Sequence, residues 1–201
     1  MSKSLENARQ KQSAIVQAAL DLFLQQGYTA TRMDSVADLA GVTKQTVYRY
    51  YPSKGELFSA AMERIRADEP RLYQFGEGPL ERELTGFGRD LLAFHLSPAA
   101  LGIYRIILRE GGEADSPLKP FMQSGPTRVI EYLAAFLKQR CPALDDATFH
   151  AQMFVGMILT PRNQLVIQGR KRISRSEQEN HVAKVVRLFL NGLQPEPDST
   201  D

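Results

Sequence analysis

The chain of 201 residues sets 25 Lys and Arg against 23 Asp and Glu, a formal charge of +2, and 43% of its residues are hydrophobic. This is the composition of a globular protein with enough apolar surface for a core; it excludes a disordered or fibrous chain and any overall field that attracts nucleic acid, so a basic surface has to be local. The single cysteine, Cys141, excludes an internal disulfide framework, and the scattered His95, His150 and His181 argue against a structural metal site.

In chain order, the N-terminal stretch is polar and holds no apolar signal core, and no later stretch approaches the roughly 18 apolar residues of a membrane span. A cytoplasmic protein without membrane contact is expected. Ile15, Ala18, Ala19, Leu22 and Phe23 then share one face of a helix that Gly27 can end. Further helical patterns fall near residues 54–70, 79–96, 98–110, 125–140, 145–168 and 176–192. Breaks fall at Glu77-Gly78-Pro79, Ser97-Pro98, Gly111-Gly112 and Cys141-Pro142. Strand signals are scarce, so the fold class is all-α. Pro161, inside the penultimate pattern, predicts a kink, and residues 194–201 have nothing to bury and form a fraying tail.

Between the first helix and the pattern starting near residue 54 lie three helix starts in quick succession. Thr31 followed by Asp34 can cap a short helix whose inward face is Val36, Leu39 and Ala40, and Gly41 permits a tight turn. Thr43 can cap a second helix from Lys44 to about Tyr50, Pro52 interrupts it, and Ser53 with Glu56 forms a box opening a third helix with Leu57 and Phe58 on its apolar side. Two short helices joined by a Gly-containing turn make a helix-turn-helix, whose second helix enters a major groove. Val47 is its inward anchor. Lys44, Gln45 and Arg49 have the donors and reach for base edges, while Thr43, Thr46, Tyr48 and Tyr50 carry hydroxyls for phosphates, with Lys54 adding charge at the next helix start. On spacing alone, an ordinary pair of capped helices remains an equal alternative.

The run from Val36 to Phe58, VADLAGVTKQTVYRYYPSKGELF, closely resembles the TetR-family signature: a hydrophobic-Ala pair, Ala-Gly-Val, a Tyr-x-x-Phe-like step and Ser-Lys-x-x-Leu. The resemblance implies a three-helix DNA-reading domain over residues 1–60 and a larger helical effector-binding and dimerisation domain over 61–193. Two positions depart from the pattern. Tyr51 stands where Phe is usual, so its hydroxyl needs a partner. Arg32 stands where a small hydroxyl residue is common and either adds a phosphate contact or is a solvated helix-start residue. Farther on, Tyr104 to Glu110, a Gly-rich break, Phe121 and Gly125-Pro126 are similar to the AefR-like C-terminal domains, associated with regulation of efflux and related genes.

The same resemblance implies that the last two helices pair with those of a second copy. Phe149, Met153 and the stripe Val182, Val185, Val186, Phe189 and Leu193 are the interface candidates; periodicity alone favours completion of the monomer core, and the need for two reading helices reverses that preference. It also implies an apolar pocket for a small hydrophobic effector lined by Phe94, His95, Tyr104, Phe121, Met122, Met153, Phe154 and Met157, any of which could instead be plain core. The basic run 169–175 reads as a solvated loop and Cys141 as an unreactive thiol. The sequence shows no nucleophile–base constellation, phosphate-cradling glycine loop or metal-spaced cluster, so no enzyme, cofactor or metal is expected. The implied partners are a palindromic DNA operator, an effector and a second copy.

Overall fold

The computed structural model describes residues 3–66, 74–111, 118, 127–169 and 172–193. Among them the regular structure is helical throughout: α1 Lys3–Gln26, α2 Met33–Ala40, α3 Lys44–Tyr50, α4 Lys54–Arg66, α5 Leu80–His95, α6 Pro98–Glu110, α7 Thr127–Arg140, α8 Ala147–Ile158, α9 Thr160–Val166 and α10 Arg175–Gly192. No single helix among the described residues is long and apolar enough to cross a membrane.

The chain divides into two compact units, Met1–Asp68 with Pro98–Gln123, and Glu69–Ser97 with Ser124–Asp201. In the first unit, Ile15, Ala19 and Phe23 of α1, Val36 of α2, Val47 of α3 and Leu57 and Ala61 of α4 are wholly enclosed. Phe23, Tyr28 and Phe58 meet with centroids 5.1–5.7 Å apart, mostly edge to face, the geometry favoured by ring quadrupoles. Ile103 and Ile106 of α6 and Leu118 share this core, so α6 packs with the first four helices. The expected boundary after residue 60 falls inside α4.

Local chemistry explains the helix ends here. Gly27, at φ +88°, turns its N–H to the Phe23 carbonyl at 2.9 Å and stops α1. Gly41, at φ +66°, does the same for α2, its N–H reaching the Asp38 carbonyl. The start of α2 differs from expectation. Arg32 occupies the cap position without a side-chain bond, while the Thr31 hydroxyl donates to the Gly27 carbonyl at 2.7 Å and is 2% exposed. The inward face also differs: Met33, Val36 and Ala37 are buried, and Leu39 is 57% exposed.

The second unit builds its core from Leu84, Phe87 and Leu91 of α5, Leu133 and Leu137 of α7, Phe154 and Ile158 of α8, and Val182, Val185, Val186 and Phe189 of α10. Each such fully buried large side chain contributes on the order of 1.5–3 kcal/mol. The expected interface stripe is thereby corrected: Val182, Val185, Val186 and Phe189 are 1–7% exposed within one protomer, and Leu193 packs partly on the same core. Pro161 breaks the penultimate helix instead of kinking it. α8 ends at Ile158 and the chain restarts as α9, with the proline in the first turn, where its missing N–H costs no intrahelical bond.

In the basic run after α9, Gly169 and Arg172 are exposed. Ile173 is 8% exposed, and Ser174 opens α10 through a reciprocal box with Glu177, their bonds being 3.2 and 2.8 Å. Arg170, Lys171 and the tail lie outside the described residues.

Candidate nucleic-acid interface

α3 has seven residues and two faces. Thr43 fixes its start, accepting the Thr46 N–H at 3.2 Å, and the two threonine hydroxyls lie 2.9 Å apart, so both are engaged with each other. Val47 is fully buried and pins the helix to the core, and Tyr51 closes the inner side at 8% exposed. The Tyr51 hydroxyl finds the partner it needs in the Gln12 side-chain amide, 3.2 Å away on α1. What remains outward is Lys44, Gln45, Tyr48 and Arg49, all exposed.

Tyr50 does not join that face. It is half-buried against the core and its hydroxyl donates to the Ala8 carbonyl at 3.5 Å, so it is corrected from phosphate holder to a tie between α3 and α1. Its ring carries the Arg49 guanidinium 5.3 Å from the centroid, which steadies Arg49. Arg32 is exposed at the start of α2, beside an open groove that Asp34, Lys44, Tyr48 and Ser53 also line.

Lys54 needs a second correction. Its ammonium donates to the carbonyls of Tyr28 at 2.9 Å, Thr29 at 3.1 Å and Thr31 at 3.1 Å, which uses its three donors, and it sits 4.5 Å from the Tyr28 ring centroid. Burial lowers its pKa, with the Glu110 carboxylate opposing. The N–H groups of the same loop are held from α6: Glu110 accepts from the Tyr28 N–H at 3.2 Å and from the Thr29 N–H and hydroxyl at 2.7 Å each. Lys54 and Glu110 thus clamp the loop that leads into α2. Ser53 caps the Glu56 N–H at 3.1 Å as expected.

The Asp34 contact has no counterpart in the sequence reading. Lys44 Nζ lies 2.8 Å from Asp34 Oδ1 and 3.1 Å from Oδ2, across the turn of the helix-turn-helix. Hydrogen bonding and charge from Asp34 raise the Lys44 pKa above 10.5. No spacing rule flags a pair ten residues apart on different helices; only the fold brings them together.

The other expected sites are dispersed. Phe154 is fully buried against Phe189, 4.9 Å between centroids, which makes it core. Phe94, His95 and Met157 are half-buried in the second unit, His95 3.5 Å from the Arg162 guanidinium, and Tyr104 is half-buried in the first unit. Phe121 and Met122 lie outside the described residues. Phe149 and Met153 are 51% and 46% exposed on α8. Cys141 is a half-buried free thiol. No group of three or more metal-ligating side chains occurs among the described residues.

Comparison with known proteins agrees with this geometry. Residues 15–61 match the family described as bacterial regulatory proteins, tetR family, and residues 82–192 match the AefR-like transcriptional repressor C-terminal domain. The HTH-type transcriptional regulator RutR of Escherichia coli (strain K12) is 46% identical over 55 residues, 27% of this chain and 26% of RutR, so the chain spans about a quarter of the length of that relative. The HTH-type regulator YvkB of Bacillus subtilis (strain 168) is 24% identical over 89% of this chain and 95% of its own length. The solved structure of the flavonoid-responsive regulator FrrA superposes with a TM-score of 0.77 at 30% identity, covering 93% of this chain and 98% of FrrA.

Proposed function

Because the chain belongs to the TetR family of bacterial transcriptional regulators, with an AefR-like C-terminal domain, we propose that it is a sequence-specific repressor, a homodimer that leaves a palindromic operator when a small hydrophobic effector binds. The observation that carries this reading is the presentation of α3: one buried anchor, Val47, and an opposite face of Lys44, Gln45, Tyr48 and Arg49 open to solvent. A rod of seven residues with long donors on its free side suits the major groove. Arg49 and Gln45 read base edges, guanine and adenine being their preferred partners, while Thr43, Thr46, Tyr48 and Arg32 sit where phosphates would pass.

One such helix reads few base pairs, so useful discrimination needs two copies. Phe149 and Met153, with Gly156 and Thr160, follow one another at four- and three-residue steps along the exposed side of α8 and α9, and Leu188 of α10 is 64% exposed. We assign the contact with the second copy to these side chains. The effector pocket is assigned to Phe94, His95 and Met157 of the second unit; the name of FrrA, a flavonoid-responsive protein, supports an aromatic, largely apolar ligand class. Such a ligand would act through its differential affinity for the conformers that do and do not fit DNA.

Selection of duplexes from random DNA tests the reading. The wild type should enrich a palindrome. Arg49→Ala or Gln45→Ala should each relax preference at one position per half-site by about 1–3 kcal/mol. Identical preferences in wild type and both variants would remove the base-reading role.

A further inference from the structure

We infer that Asp34 is a positioning residue for DNA discrimination: its carboxylate holds the Lys44 ammonium away from phosphates and leaves one N–H directed at a base acceptor. The inference rests on the DNA-reading role proposed above and adds to it a residue outside the reading helix. A free lysine on a flexible four-carbon stem is a point charge that settles on whichever phosphate is nearest, and this binding carries no sequence information.

Lys44 is not free in that sense. Both Asp34 oxygens lie within 3.1 Å of Nζ, taking up to two of the three ammonium protons. The Tyr48 ring, one turn along α3, has its centroid 5.9 Å from Nζ. The head group is therefore near both the first turn of α2 and the Tyr48 ring of α3, at the solvent edge where DNA would lie.

Two consequences follow. The pair carries no net charge, so it adds nothing to the counterion release that drives binding to any duplex. The remaining N–H is oriented, so it meets an acceptor such as guanine O6 or N7 only at a fixed register. Both partners' side chains are 60% exposed, so removal of the pair leaves the core untouched.

The test uses the full chain as wild type, Asp34→Asn, Lys44→Ala and the double variant. Each is titrated with the duplex enriched by the wild type and with a random duplex of equal length over a range of salt concentrations. Asp34→Asn should bind the random duplex about two- to fivefold tighter, the span set by an exposed ion pair. Its log affinity should fall more steeply with log salt by about 0.9, one additional phosphate neutralised. The enriched duplex should gain less, so discrimination drops, and preference should loosen at the position that Lys44→Ala also loosens. In the Lys44→Ala background the same Asn substitution should leave discrimination unchanged.

An unchanged salt slope and unchanged discrimination in Asp34→Asn overturn the inference. So does an equal loss of discrimination when Lys44 is already absent, because Asp34 would then act on DNA by itself. If the wild type enriches no duplex, the DNA-reading role falls and takes this inference with it; if it enriches one and only the Asp34 variants disagree, the inference falls alone.

Discussion

Lys54 shows how a side chain's partners determine its role. Its ammonium satisfies three carbonyls of the loop between α1 and α2, and Glu110 satisfies two N–H groups of that loop. Lys54→Met keeps the stem, strands the Thr29 and Thr31 carbonyls and leaves the Tyr28 carbonyl with the Thr31 N–H alone, at a cost of about 1 kcal/mol once partial exposure is allowed for. The melting temperature should fall by about 2–4 °C. A variant that melts with the wild type would return Lys54 to a surface role. Tyr28, in the same loop, has its pKa raised above 10.0 by burial first and by the Glu110 charge second. The native chain then keeps the phenol proton after the unfolded chain has released it. Stability from this group is complete below 10.0 and declines as pH rises from there toward the native value. Denaturant midpoints across roughly pH 9 to 11 should fall more steeply for the wild type than for Tyr28→Phe, and parallel curves would contradict the assignment.

At the scale of elements, α5 carries two glycines with opposite expectations. A Cβ on Gly86 meets nothing within 4 Å, so Gly86→Ala should gain roughly 0.5–1 kcal/mol from the lower backbone entropy of the unfolded chain. A Cβ on Gly88 would stand 2.8 Å from Ile158 Cδ1 of α8 and 3.3 Å from Val182 Cγ1 of α10. Gly88→Ala should therefore lose about 1–3 kcal/mol, and Ile158→Val, which removes the clashing methyl, should restore part of it. Chemical denaturation of the three variants checks the signs, and a stabilised Gly88→Ala would mean the helices separate freely. The same contrast between local and tertiary causes explains what could be read from sequence. The bounds of α3 were legible because Thr43 and Pro52 act on their immediate neighbours, and so was its outward face, since Val47 is its one apolar residue without a polar group. The inward face of α2 was not, because eight residues make about two turns and packing against α1 chooses which side is buried. Asp34–Lys44 and the Lys54 carbonyls lay beyond any spacing rule, being set by how the helices turn on each other. On α10 the periodicity marked the apolar face and by itself favoured the protomer's own core as its cover, where the four side chains lie; it was the need for two reading helices that turned the expectation toward a second chain.

For the whole molecule, the burial of that α10 face moves the burden of association onto side chains the protomer leaves open. Phe149 and Met153 are 51% and 46% exposed, so Phe149→Glu with Met153→Glu should leave the protomer fold intact while setting two carboxylates of each copy against those of its mate. The desolvation of those charges in an apolar contact disfavours pairing. On the homodimer reading proposed above, sedimentation equilibrium should report a dimer for the wild type and a monomer for this variant, with unchanged helical content by circular dichroism. If each copy reads one half-site, as proposed, splitting the dimer converts one two-point engagement into two single ones. Affinity for the palindrome should fall on the order of 10²–10⁴, whereas affinity per chain for random duplex, which depends on phosphates near each α3, should change little. A variant that stays dimeric would move the interface off α8; one that is monomeric yet holds the palindrome as tightly as the wild type would show that a single α3 suffices.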